Sequence, residues 1–151
     1  MIFRLIVASL LPTLILGVQV LTCPDHLPIH APPIDLQIDG CDAQPCHINR
    51  GDSVSMQTRF RAAVYTDEMR LALNSTVFGV QRPVELPYEM QNACNVIDGN
   101  CPVNQGDILT LRATIPVETE VHGGVPVELK LYVSHAPGFY CTCVLVNVVI
   151  H

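Results

Sequence analysis

Five stretches of this chain alternate apolar and polar residues with a period of two, which is typical of a β-strand with one buried face. They cover residues 34–38, 54–60, 109–115, 125–133 and 142–150. Turn-forming residues separate several of these stretches, at 49–52, 105–107, 122–124 and 136–138. No stretch sustains a helical period. The pattern therefore predicts an all-β fold, in which two antiparallel sheets pack their apolar faces together as a sandwich.

The N-terminal residues follow a different pattern. Arg4 precedes a run of mostly apolar residues from position 5 to position 16. One positive charge before a short apolar core is typical of a cleavable secretory signal, and the run is too short to cross a bilayer of about 30 Å as a stable helix. We predict a signal peptide over residues 1–17, with cleavage after Gly17. A later cleavage after Thr22 and a retained membrane anchor are the alternatives.

The rest of the chain, residues 18–151, is long enough to bury a core and is predicted to be one domain. The formal net charge of the whole chain is −6, and Lys130 is its only lysine. Nucleic acids and anionic membrane surfaces attract clusters of lysine and arginine, and this chain has no such cluster. We therefore expect no nucleic-acid partner.

Seven cysteines follow the predicted signal, which indicates a disulfide framework formed in an oxidising compartment. Cys41 with Cys46, and Cys94 with Cys101, are near neighbours across predicted turns. A remaining bridge would then join Cys23 to the last strand. Because the number is odd, one cysteine is left over, and spacing alone does not assign the pairs.

Three cysteine-anchored motifs resemble the ML (lipid-recognition) domain family, whose members include secreted sterol-transfer proteins and group-two mite allergens. Residues 36–51 read LQIDGCDAQPCHINRG, with a short loop that ends in a Pro-Cys pair before a strand opened by glycine. Residues 94–103 read CNVIDGNCPV and resemble the next small disulfide loop of the family. The third motif, Phe139-Tyr140-Cys141, opens the last strand. The resemblance extends from Cys23 to Ile150.

The resemblance implies an immunoglobulin-like sandwich with an internal lipid cavity, and it implies three disulfides: Cys23–Cys141, Cys41–Cys46 and Cys94–Cys101. Cys143 lies outside this six-cysteine scheme. Two residues beyond Cys141, it is expected on the same face of the strand. Three interpretations stay open for Cys143: an inert thiol, an intermolecular bridge that links two copies into a dimer, or the alternative partner of Cys23.

Asn74-Ser75-Thr76 is a glycosylation acceptor sequence, so Asn74 is a candidate glycosylation site. A glycan there requires Asn74 to face solvent. The alternation then places Leu71, Leu73 and Val77 on the inward face.

The predicted lipid-binding residues are the apolar members of the inward faces, together with residues of the proline-rich segment 80–88 that could line an entrance. They are Phe60, Leu71, Leu73, Val77, Val84, Leu86, Tyr88, Leu109, Leu111, Val127, Leu129, Leu131, Val144 and Val146. Arg82 and Glu85 make this segment less apolar than its equivalent in sterol-carrying members. Alternatively, the prolines only prevent an edge strand from pairing.

No catalytic or metal-binding pattern is present in the sequence. The six histidines (His26, His30, His47, His122, His135 and His151) lack the spacing of metal ligands. No glycine-rich phosphate loop, nucleophile elbow or Ser/His/Asp grouping is found. We expect no enzyme activity, no cofactor and no metal.

The sequence thus predicts a secreted carrier that holds a sterol, a fatty acid or a similar apolar ligand between two sheets. It would act as a monomer in the extracellular space, or alternatively in the lysosome, and deliver its ligand to a membrane or a receptor. The alternative function is an extracellular recognition or receptor-accessory module, for example in innate immunity, whose inner faces simply pack on one another.

Overall fold

Nine strands form two sheets that face each other, in a computed structural model that describes residues 18–23, 29 and 31–151. The strands are β1 Leu21–Thr22, β2 Asp35–Ile38, β3 Cys46–Ile48, β4 Ser53–Arg61, β5 Arg70–Val77, β6 Val80–Val84, β7 Ile108–Pro116, β8 Pro126–Ala136 and β9 Phe139–Ile150. The all-β sandwich prediction is confirmed. The predicted signal peptide, His26 and His30 lie outside the described residues.

The large sheet has the order β1-β9-β8-β5-β6, and β3 joins the same edge of β9 farther along that strand. Its neighbours are antiparallel except for β3, which runs parallel to β9. The small sheet has the order β2-β4-β7 and is antiparallel throughout. Each strand has a period of two, so every second side chain of each sheet faces the other sheet.

The inward rows of the two sheets form the core, as the alternation predicts. Leu71 and Leu73 of β5 are buried, while the intervening Ala72 is exposed. On β9 the even-numbered residues from Thr142 to Ile150 are buried. The inward register that was deduced from the acceptor sequence at Asn74 is therefore found in the structure.

Two short helical segments follow β6, although the sequence showed no helical period. They are α1, Tyr88–Gln91, and one turn of 3-10 helix, Ala93–Asn95. Each spans a single turn, which is too short for a period to be visible in the sequence. No helix within the described ranges is long and apolar enough to cross a membrane.

The structure corrects the pairing of Cys23. Cys23 is bonded to Cys143, with 5.8 Å between their Cα atoms, and Cys141 is a buried free thiol. The other two bridges, Cys41–Cys46 and Cys94–Cys101, are those that were expected.

A β-bulge explains the correction. Val133 of β8 pairs with Thr142, but the next residue, Ser134, pairs with Tyr140, so Cys141 is an extra residue in β9. An extra residue reverses the alternation on one side of the bulge. Cys141 therefore joins the core, whereas Cys143 lies on the outer face beside Tyr132 and Leu145. The expectation that the two cysteines share a face is wrong.

Candidate functional site

Burial along the inward face changes from one end of the sandwich to the other. On β4, Phe60 and Thr58 are 0% exposed and Met56 is 8% exposed, but Val54, the last inward residue of the row, is only half-buried. The register pairs Phe60 with Leu109 at one end of β7 and Val54 with Ile115 at the other. The sandwich is thus filled at the Phe60 end and hollow at the Val54 end.

The filled end is closed by the loop that the Cys94–Cys101 bridge ties together. Ile97 of this loop and Val103, two residues beyond it, are buried in the core. The amide of Asp98 donates to the carbonyl of Thr110 at 2.8 Å, and the amide of Arg112 donates to the carbonyl of Val96 at 2.8 Å. Because these bonds fasten the loop to β7, its apolar side chains fill the space beyond the strands.

At the opposite end the two sheets enclose a cavity of about 870 Å³. The large sheet contributes most of the lining, from β5, β8 and β9, and the small sheet contributes side chains of β2, β4 and β7. The apolar strand residues of the lining are Ile38, Ile48, Val54, Met56, Leu73, Val77, Val84, Ile115, Val127, Leu129, Leu131, Val144, Val146, Val148 and Ile150. Valine and isoleucine dominate this set and no aromatic residue belongs to it, so the side chains leave space between the sheets.

The cavity opens between two segments, which together we call the mouth: the β5–β6 hairpin, residues 77–85, and the β7–β8 connection, residues 116–125. Exposed residues of both segments line it. They are Phe78, Arg82, Pro83, Glu85, Pro116, Glu118 and His122. Phe78 is 87% exposed at the hairpin turn, where its φ of 49° and that of Gly79, 78°, form the tight reversal. An apolar ligand could enter here without passing the filled end.

Eight of the fourteen residues predicted to bind lipid line this cavity. They are Leu73, Val77, Val84, Val127, Leu129, Leu131, Val144 and Val146. Sequence reasoning missed the lining residues of the small sheet, namely Ile38, Val54, Met56 and Ile115. Their alternation was recognised, but it did not show at which end the sheets separate.

The other six predicted residues do not line this cavity. Phe60, Leu109 and Leu111 fill the closed end, so the predicted tunnel is a cavity that is blind at that end. Leu71 packs in the core. Leu86 is buried in the core just beyond β6, and Tyr88, which is 88% exposed, begins α1. Neither of these last two lines the mouth.

The proline-rich segment forms an edge strand that still pairs. Val80–Val84 is β6, the outermost strand of the large sheet, and Pro83 lies opposite Asn74. Proline lacks an N–H donor and is therefore tolerated at an edge. The proline-rich segment is therefore both the edge strand of the large sheet and a border of the mouth.

A second, more polar groove of about 1190 Å³ lies on the outer face of the large sheet. Asn74, Lys130, Tyr132 and Tyr140 are among its lining residues. Asn74 is half-buried on this face, between Lys130 on β8 and Pro83 on β6. The face of the acceptor sequence is therefore the outer one, as a glycan requires.

Cys141 shows no sign of an activated thiol. Burial raises the pKa of its thiol, and a hydrogen bond from the Ala63 backbone lowers it to a smaller extent. The sulfur lies 3.6 Å from Nδ1 of His135. A thiol with a raised pKa stays protonated at neutral pH and is a poor nucleophile. The bond between Cys23 and Cys143 also leaves Cys143 without a thiol for the disulfide dimer considered above.

Histidines His47 and His151 form a pair on the surface, with 2.8 Å between Nδ1 of His47 and Nε2 of His151. No third candidate ligand joins them, since no group of three or more His, Cys, Asp or Glu side chains in the described ranges is placed to hold a metal ion.

The fold and the site together define a hollow two-sheet β-sandwich with an aliphatic cavity that opens at one end. A sequence model of the ML domain family matches residues 17–150. The chain belongs to the ML domain family. The match spans both sheets, the mouth and all three disulfides.

Two named proteins are similar to parts of the chain. The NPC intracellular cholesterol transporter 2 of Canis lupus familiaris is 27% identical over 86 residues, which is 57% of this chain and 56% of that protein. The chain thus spans little more than half of the dog protein. The mite group 2 allergen Lep d 2 of Lepidoglyphus destructor is 29% identical over 103 residues, 66% of this chain and 70% of the allergen.

A solved structure has the same fold. The crystal structure of a Niemann-Pick type C2 protein from Japanese carpenter ant superposes with a TM-score of 0.72. It covers 88% of this chain and 99% of the ant chain at 17% sequence identity. At this identity the likeness concerns the fold alone.

Proposed function

We propose that this protein binds a small apolar lipid in the cavity between its sheets and carries it through an aqueous compartment. The observation that supports this most is the aliphatic cavity of about 870 Å³ between the two sheets. Its volume falls within the range of about 300–1,000 Å³ that is typical of small-molecule sites. The dog relative is named as an intracellular cholesterol transporter, which supports a lipid of this class.

The hydrophobic effect supplies the binding energy in this proposal. Each 100 Å² of apolar ligand surface removed from water contributes about 2.5 kcal/mol. A sterol or a fatty acid exposes several times that area, so it would bind without any covalent step. The matched relatives are named as transporters and allergens rather than enzymes, and we propose no catalysis for this chain.

The three disulfides support an oxidising compartment as the place where the protein acts. We keep cleavage after Gly17 as our proposal, because cleavage after Thr22 would remove β1, which pairs with Leu145 and Val144 of β9. The protein would then act in the extracellular space or the lysosome, as a monomer that meets a membrane or a receptor at delivery. N-terminal sequencing of the secreted protein should begin at Val18.

The alternative function, a recognition or receptor-accessory module with a filled core, requires the inner faces to pack along their whole length. They do so only at the Phe60 end. The half-buried Val54, Ile115 and Leu129 at the other end favour the carrier.

A titration tests the proposal. Delipidated protein would be titrated with a fluorescent sterol and with a fluorescent fatty acid. We expect saturable binding of at least one of them with one site per chain. If neither binds to the folded protein, the proposed function is wrong.

A further inference from the structure

We propose that the ligand of the cavity carries an acidic head group, as a fatty acid does, and that Arg82 binds this group at the mouth. The inference rests on the proposed function, because it concerns the polar end of the same ligand. It assigns a substrate class and a residue that determines specificity.

The register of β6 determines which way Arg82 faces. Arg82 is the direct partner of Ser75 on β5, and Val84 is the partner of Leu73. Directly opposite residues of an antiparallel pair project from the same face of a sheet. Leu73 is buried in the core and Ser75 lines the cavity, so Arg82 belongs to the inward row of the edge strand. The charged Arg82 therefore occupies a position in the inward row at which an apolar cavity requires no charge.

Arg82 has no ion-pair partner among the described residues. The three ion pairs of the described residues engage Arg59, Arg112 and Lys130. No side-chain hydrogen bond found in those ranges involves Arg82. A guanidinium offers five donors in a planar fork, which fits a carboxylate with two parallel bonds. At the edge of an apolar space such a bond is less weakened by water than on an open surface.

The mouth carries other polar residues besides Arg82. Glu85, Glu118 and His122 also line it. Neither carboxylate forms an ion pair with Arg82, and Glu85 also borders the outer groove. Glu85 lies on the same hairpin as Arg82, whereas Glu118 lies on the facing connection. Arg82 is the only arginine or lysine among the described residues that line the cavity, so an acidic head group would be held by Arg82, beside the hydroxyl of Ser75.

Arg82 could donate to a sterol hydroxyl, but that oxygen carries no charge and does not match the planar fork. A carboxylate accepts two parallel bonds from the guanidinium and also neutralises its charge. The predicted ligand is thus an acid with a single apolar chain, placed with the chain in the cavity and the carboxylate at the mouth.

The test compares oleic acid with methyl oleate, which has the same chain without the charge. Both would displace N-phenyl-1-naphthylamine, a neutral fluorescent probe, from the delipidated protein at pH 8. We expect the acid to bind about 10- to 100-fold tighter than the ester, which corresponds to one charged hydrogen-bonded pair. In Arg82→Gln this ratio should fall to about one, through loss of affinity for the acid alone.

Two variants serve as controls. Arg112→Gln removes an arginine from the outer face of β7, and should leave the ratio unchanged. Arg82→Lys keeps the charge without the fork, and should keep part of the preference. Equal affinity of the wild type for acid and ester would overturn the proposed role of Arg82, but it would still support lipid binding in the cavity. If the probe and both lipids fail to bind, the proposed function fails and the inference fails with it.

Discussion

Cys141 and Cys143 are separated by one residue on β9, yet their side chains lie on opposite faces of the large sheet. Cys143 is bonded to Cys23 outside the sandwich, and Cys141 is a thiol inside it. The bulge that separates them decides which cysteine can reach the N-terminal segment.

This arrangement predicts where a thiol reagent reacts. In denaturant without reductant, one equivalent of iodoacetamide should label Cys141 only, because the other six cysteines are bonded. Fragmentation mass spectrometry of the C-terminal peptide locates the label. A label on Cys143 would instead indicate that Cys23 is bonded to Cys141, and it would contradict the bulge at Cys141.

The long-range bridge should also contribute to stability. It closes a loop of about 120 residues, for which the chain-entropy treatment gives about 4–5 kcal/mol. The double variant Cys141→Ala/Cys143→Ser, which cannot re-form a bridge to Cys23, should lose about 2–5 kcal/mol of unfolding free energy in denaturant titrations. Cys141→Ala is the control and keeps the bridge. Equal stability of the two variants would contradict a bridge between Cys23 and Cys143.

The buried thiol predicts a pH dependence. Burial raises the pKa of Cys141 in the folded protein, whereas an unfolded thiol ionises near pH 8.5. The unfolded state therefore releases this proton first as pH rises, and the stability present below about pH 8.5 declines above it. Unfolding free energies at pH 7 and pH 9.5 should differ more for the wild type than for Cys141→Ala. Parallel changes in both proteins would show that Cys141 does not titrate in this way.

Bulky substitutions distinguish the hollow end from the filled end. Val146→Trp places an indole in the cavity, where space exists, so it should abolish lipid binding and cost less than the 1–3 kcal/mol typical of overpacking. Leu111→Ala, in the filled end, should cost about 2–5 kcal/mol and leave binding intact in protein that is still folded. Ligand titration and chemical unfolding of both variants check this. A large loss of stability in Val146→Trp would indicate a filled core.

Asn74 should carry a glycan when the chain is secreted from a eukaryotic cell. Asn74→Gln and Thr76→Ala each remove the acceptor sequence, whereas Ser75→Ala keeps it. Intact mass before and after enzymatic deglycosylation should change for the wild type and Ser75→Ala only. An unchanged wild-type mass would show that Asn74 is not used.

Particular residues show how far the sequence could predict this molecule. The alternation from Val54 to Phe60 and from Leu109 to Ile115 correctly assigned the inward faces, because a period of two follows from strand geometry alone. It could not separate Phe60 from Val54, since both lie on the same inward row. Which end is filled depends on the loop at 94–101, whose contacts with β7 join distant parts of the chain.

The same limit applies to Cys141 and to β3. Alternation assumes an unbroken ladder, so one inserted residue transfers Cys141 from the outer face to the core. The parallel pairing of Cys46–Ile48 with β9 has no signal of its own, because three residues are too few to show a period. The resemblance to the ML domain family predicted a cavity between the sheets, and the structure shows at which end of the sandwich it lies.

The central claim is that the cavity holds a lipid, and one measurement tests it most directly. The protein would be purified from its secreting host without detergent, extracted with organic solvent, and the extract analysed by mass spectrometry against an extract of the Val146→Trp variant. We predict an apolar lipid near one mole per mole of wild-type protein and almost none with the variant. Lipid absent from both proteins, or present equally in both, would contradict a ligand between the two sheets.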